Sequence, residues 1–146
     1  MQRTVLYLRV VGALALFVVA ADHLYEYYVD HYSAIPTIGP LFLLNGIGAT
    51  ALGLMLLAPV GWLLPQRLAA GAVALASAAG LALAASALVG LFVSETEPLF
   101  GFMESGYRPV VAVAIGSEAV AIVALAMLLV LSRRGGRGPS DVRPAV

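Results

Sequence analysis

Apolar residues run through this chain in four blocks, with polar residues gathered between them. The blocks are Val5 to Tyr25, Ile38 to Ala58, Leu68 to Val93 and Val110 to Leu131, each bounded by Pro, Gly or charged residues. A hydrocarbon layer about 30 Å thick is crossed by about 20 helical residues, since each rises about 1.5 Å. In lipid every backbone polar group must be bonded within its own helix or around a closed barrel. The blocks lack the alternation of barrel strands. The pattern therefore predicts an all-α, polytopic membrane protein: a four-transmembrane-helix bundle forming one domain, residues 1–131, followed by a polar tail, residues 132–146, expected to be disordered and cytoplasmic.

Composition agrees. Hydrophobic residues make up 62% and charged residues 11%, against about 25% charged in a soluble domain, which disfavours a water-borne globule. Cysteine is absent, excluding disulfides, thiolate metal sites and dithiol chemistry; lysine is absent too, removing Schiff-base and lysine-base catalysis. The excess of Ala, Gly, Val and Leu beside a single asparagine, Asn45, resembles the usage of a GC-rich bacterial genome. A multi-pass protein of the bacterial inner membrane, with the lipid bilayer as its first partner, is the expected setting.

Seven of the eight arginines fall at one end of the predicted bundle: Arg3, Arg9, Arg67, Arg133, Arg134, Arg137 and Arg143. The other end holds Arg108 with Asp22, Glu26, Asp30, Glu95, Glu97 and Glu104. Positive residues stay inside, so both termini are expected to be cytoplasmic, with the first and third connections outside. The zero net charge conceals this polarity and offers no concentrated basic surface for nucleic acid. Arg9 followed by Val10 to Ala21 also resembles a signal peptide, with Val19 and Ala21 as its small-residue cleavage site. However, Val5 to Leu8 extend the apolar run ahead of Arg9, where a signal peptide would be polar, so the segment reads as a retained span.

The first helix is expected to run on towards Tyr32. On a helical projection Asp22, His23, Glu26 and Asp30 share an arc of about 100°, with Arg9 and Gly12 continuing the stripe. Tyr25, Tyr28 and Tyr32 fall opposite, where they read as an interfacial aromatic belt, with Trp62 doing the same at the inner end of the second helix. His23, Glu26 and Asp30 on one face are compatible with metal ligation, although such spacing equally suits groups that pair with Arg108 and meet water. His23 and His31 share one segment, which does not suit bis-histidine haem, and the residues name no cofactor.

Asn45 lies about 8 Å below Pro40, and Glu118 about 12 Å below Val110, so both belong to the outer half. The predicted polar cluster comprises Asp22, His23, Glu26, Asn45, Ser117 and Glu118, with Glu104 and Arg108 at its rim. Glu118 is the sharpest candidate. It is alone in an apolar run, and its removal from water must be offset by protonation or by a cation. The third helix carries two ladders of small residues: Ala70, Ala74, Ala78, Ala82, Ser86 and Gly90, and Ala72, Ala76, Gly80 and Ala84. Ala49, Gly53, Ala112 and Gly116 supply similar steps elsewhere. Such surfaces let helices approach closely, one inside the bundle and the other in a homodimer or membrane-complex seam.

Arg9 and Gly12 in the first span, with Asn45, Ala49, Gly53, Arg67, Leu68, Ala69 and Ala70 across the second and third, resemble the pattern of the DoxX-like four-helix bacterial membrane proteins. Asn45 stands where that pattern has an acidic residue, and Glu118 falls outside it. The resemblance implies an inner-membrane protein of a kind sometimes associated with quinone or redox partners. The residues themselves show no catalytic signature, so an enzyme is not expected. They point to an outward-facing polar pocket that binds a small ligand or a proton, with transport as its use. The competing expectation is a structural or accessory subunit of a membrane complex.

The arginine asymmetry makes a direct prediction. A topology reporter fused after Leu131 should read cytoplasmic and one inserted near Pro98 should read external; the reverse pattern would overturn the orientation.

Overall fold

The computed structural model describes residues 2–104, 106 and 108–135. Five α-helices and one 3-10 turn occur among them: α1 Gln2–Tyr28, the 3-10 turn Tyr32–Ala34, α2 Ile38–Leu57, a single-turn α3 Val60–Leu63, α4 Gln66–Thr96 and α5 Pro109–Gly135. The described residues contain no strand, only an isolated bridge between Leu99 and Phe102. Four of the helices are long and apolar enough to cross a membrane. The expected spans are thus present, with ends moved by a few residues. α5 runs past Leu131 into the segment expected to be disordered, and the rest of that tail, including Arg137 and Arg143, lies outside the described residues.

The four long helices form a ring in which α1 and α4 each pack on α2 and α5 and scarcely meet across the diagonal. Large side chains fill the centre: Leu16 of α1, Leu56 of α2, and Leu125 and Leu128 of α5 are fully buried. Small residues make room for them. A Cβ on Gly80 of α4 would stand 2.9 Å from Leu125 and 3.1 Å from Leu16, so glycine there lets the leucines interlock. Gly53 of α2 does the same for Phe17 of α1.

The two small-residue ladders of α4 have different fates. Ala76, Gly80 and Ala84 face the core, whereas Ala70, Ala78, Ala82 and Ser86 of the other ladder are exposed. Ala112 and Gly116, expected as packing steps on α5, also face outwards, with nothing near a Cβ on Gly116.

At the arginine-rich end, Arg9 reaches from α1 to the last turn of α2. Its guanidinium donates to the Leu56 carbonyl and, at 2.6 Å, to that of Ala58. Helix ends leave such carbonyls unpaired, and a cation there also complements the negative end of the helix dipole. Trp62 sits on α3 rather than α2 and is 93% exposed.

The first connection departs most from expectation. α1 ends at Tyr28 because His31 takes a left-handed conformation (φ 61°) and reverses the chain, so the helix does not reach Tyr32. Tyr32, expected on the outer aromatic face, is folded back and buried, while Tyr25 and Tyr28 remain exposed. Thr37 then takes φ 68°, ψ −49°, with the Ile38 amide donating to the Pro36 carbonyl: a γ-turn of the rarer, strained hand.

Gly80→Leu should wedge α4 from α1 and α5 at a cost of about 1–3 kcal/mol, the range for overpacking. Ala82→Leu should leave the melting temperature of the monomeric bundle unchanged. Equal melting of the two variants in detergent would contradict the ladder assignment.

Candidate functional site

A cavity of about 370 Å³ occupies the acidic end, between α1, α2, α4, α5 and the α4–α5 connection. Its deep wall is polar: Asp22, His23 and Glu26 from α1, Asn45 from α2 and Glu118 from α5. The remaining wall is mostly apolar, with Phe42 of α2, Leu91 of α4 and Phe102 of the connection among its members. The structure therefore brings together five of the six residues of the predicted cluster, Ser117 being the exception, and Arg108, expected at the rim, stands behind Glu26 and binds it.

Arg108 organises the wall. Its guanidinium donates to Glu26 Oε1 at 2.9 Å, Asp30 Oδ2 at 2.5 Å, the Tyr32 hydroxyl at 2.8 Å and Glu104 Oε1 at 3.4 Å. The Tyr32 hydroxyl in turn donates a hydrogen bond to Glu104 Oε2 at 2.7 Å. Carboxylates from α1, the first connection and the α4–α5 connection thus meet on one cation that helix periodicity alone would not locate. Burial acts to lower the pKa of Arg108, but the hydrogen bond to Asp30 and the neighbouring Tyr32, Glu104 and Glu26 outweigh it and hold the group above its ordinary value. Burial, then the bond to Glu104, raises Tyr32 above the usual phenol range. Both groups keep their protons at any physiological pH.

His23 is fully engaged. Nδ1 donates to the Val19 carbonyl at 2.9 Å, one turn back, so Nε2 accepts from Asn45 Nδ2 at 3.2 Å. This pair fixes the tautomer and ties α1 to α2. The ring also lies 5.0 Å from that of Phe42. With both nitrogens bonded and Glu26 and Asp30 turned to Arg108, the metal-ligand arrangement considered for His23, Glu26 and Asp30 does not form. Among the described residues, no group of three His, Asp or Glu is arranged to hold a metal ion.

Two carboxylates remain outside these bonds. Asp22 is 6% exposed and Glu118 2% exposed, both line the cavity, and both Asp22 oxygens and Glu118 Oε2 have no hydrogen-bond partner among the described residues. Arg108, the partner considered for Glu118, is spent on Glu26, Asp30 and Glu104. Buried polar atoms are nearly always bonded, so two unbonded carboxylates facing one cavity stand out.

Ser117 is not part of the cluster. Its hydroxyl donates to the Ala114 carbonyl of its own helix at 3.1 Å, because neighbouring helical residues point about 100° apart. The sequence reading missed Tyr32, Phe42 and the buried Ser94, whose amphipathic or apolar side chains carry no local mark of a site. Glu104, placed at the rim, has a side chain only 5% exposed and lines the cavity.

No protein-family model, curated protein or solved structure gives a significant match to this chain. The resemblance to DoxX-like proteins therefore rests on the residues quoted above.

Arg108→Gln should destabilise the bundle by about 1–3 kcal/mol, below the cost for a fully buried ion pair because the Arg108 side chain is 36% exposed. Without the guanidinium, Glu26, Asp30 and Glu104 repel one another when ionised, and protonation relieves them. The deficit against wild type should consequently shrink as pH falls through the carboxylate range, as read by thermal melts. A deficit independent of pH would show that Arg108 acts through packing alone.

Proposed function

We propose that this chain is a multi-pass membrane protein whose cavity, at the outer end of the bundle, binds a small ligand or a proton, with transport as the use of that binding. One observation carries the reading: Asp22 and Glu118 are buried and line the same cavity, and both Asp22 oxygens and Glu118 Oε2 have no hydrogen-bond partner among the described residues. A carboxylate kept for stability alone would be paired, as Glu26, Asp30 and Glu104 are with Arg108. An ionisable group at membrane depth is costly and is kept in general where it serves a pathway or a binding site. The arginine asymmetry supports an outward-facing cavity, since Arg9 and Arg67 lie at the opposite end of the helices from Glu118.

A second reading, an accessory or homodimeric subunit, is favoured by the exposed ladder of Ala70, Ala78, Ala82 and Ser86 on α4. The two readings differ over Glu118. A ligand or proton site must exchange with the outside, whereas an anchoring side chain need not.

Infrared spectroscopy of the protein in lipid vesicles tests this. Wild type should show a carboxyl band, absent from Glu118→Gln, that titrates with external pH and shifts on transfer to D2O. The Gln variant keeps the shape and should insert and fold. A Glu118 band unmoved by pH and by D2O would remove Glu118 from the mechanism and leave the accessory-subunit reading.

A further inference from the structure

The cavity is closed on its α1 and α5 sides and open on another. Its exposed lining residues are Leu41 of α2, Ser86, Val89 and Val93 of α4, and Phe100 of the connection above. Leu41 and the α4 residues flank the seam between the outer halves of α2 and α4. Every one of them except Ser86 is apolar. If the helices cross a bilayer as proposed above, this mouth faces acyl chains at its sides and the headgroup level only at Phe100.

The interior has a matching polarity. Apolar side chains line the route from the mouth, and the acids stand at its far end. Arg108 is already bonded to three carboxylates, His23 has both nitrogens occupied and Asn45 commits one of its two amide hydrogens to His23, so acceptor oxygens outnumber donors at this wall. Asp22 and Glu118 offer three acceptor oxygens that meet no donor among the described residues. A neutral apolar ligand would fill the walls but leave these oxygens unbonded, at the cost of any buried unpaired polar group. An anion would be repelled.

On the basis of the ligand-pocket reading, we infer that the cavity takes an ammonium group carried on an apolar body, entering between α2 and α4, with the cationic head on Asp22 and Glu118 and the body along Phe42 and Leu91. A cavity of about 370 Å³ lies at the small end of the range for organic ligands. Two sources supply this chemistry: a free hydrophobic amine, or the headgroup of an ethanolamine lipid. Cation and proton compete for the same oxygens. The groups facing them are Asp22, His23 and Glu26 from α1, Asp30 from the first connection, Glu118 from α5, and Glu104 with Arg108 from the α4–α5 connection; α2 contributes Asn45 and α4 Ser94, neither of which titrates.

The test is calorimetry on the full chain in phosphatidylglycerol nanodiscs, with empty discs subtracted. The probes are octylammonium, octanol and octanoate, which share one apolar body. Octylammonium should bind at least about tenfold more tightly than octanol, and octanoate should not bind. Its affinity should rise with pH, approaching about tenfold per unit where one proton leaves for each cation that enters. Asp22→Asn and Glu118→Gln should each weaken it about tenfold or more, and either variant alone suffices if the other does not fold. Gly90→Leu narrows the mouth without touching a charge: a Cβ there meets only Leu99, at an ordinary 3.6 Å, so the bundle should accept it while binding drops. Adding phosphatidylethanolamine to the discs assigns the source, since competition with octylammonium identifies the lipid headgroup and its absence the free amine.

Octanol binding as well as octylammonium in wild type, and being lost in Gly90→Leu, would overturn the cation inference while leaving a ligand pocket. Octylammonium binding that ignores both acid variants would overturn it as well. If none of the three probes bound, both the cation inference and the ligand-pocket reading would fall, and if Gly90→Leu changed none of them, the entry between α2 and α4 would be overturned.

Discussion

One guanidinium sets the character of the acidic end. Five carboxylates, Asp22, Glu26, Asp30, Glu104 and Glu118, gather around a cavity and its rim, and Arg108 bonds three of them. Charge in a low-dielectric interior must be paired or neutralised. A single arginine can present its donors to several oxygens because the guanidinium is a planar fork, an arrangement that a lysine ammonium would not reproduce. The pairing is therefore complete at the surface, where Asp30 and Arg108 meet solvent, and incomplete towards the interior, where Asp22 and Glu118 lie. That gradient gives the cavity its sign.

The opposite end solves a different problem with the same residue type. Arg9 bonds carbonyls rather than carboxylates, closing the last turn of α2 onto α1. The core between the two arginines is filled by leucine against alanine and glycine, which fixes helix spacing without directional bonds. Polar interactions thus determine register at the two ends and apolar packing determines distance in the middle. The His23–Asn45 bond ties α1 to α2 within the acidic half, and it also seals the back of the cavity.

Features that depend on one helix were legible in the sequence. The spans follow from hydropathy, and Asp22, His23 and Glu26 share a face because their spacing follows the helical repeat. The same rule rejects Ser117, which adjoins Glu118 and so cannot point with it. Features that depend on two helices were less legible. The ladders of α4 are alike in composition, and only Leu16 and Leu125, from other helices, decide that Gly80 faces inwards and Ala82 outwards. Tyr32 was out of reach for a third reason: its burial follows from a left-handed turn at His31, with no glycine to announce it. Once the helix is taken to continue, every later residue is assigned to the wrong face.

That turn changes what the first connection is. Chain between helices ordinarily absorbs insertions and substitutions, because its backbone faces solvent and its length is free. Here the segment is held at both ends. Tyr32 is pinned to Arg108 and Glu104, and the position of a Cβ on Gly39 falls 2.8 Å from the Tyr32 carbonyl. Gly39 and Tyr32 are thus fitted against each other across a strained turn at Thr37, leaving no slack for an added residue. The stretch from His31 to Gly39 backs the cavity wall through Tyr32, whose ring packs on the lining residues Phe42 and Phe102, and it has the length tolerance of a core strand rather than of a linker.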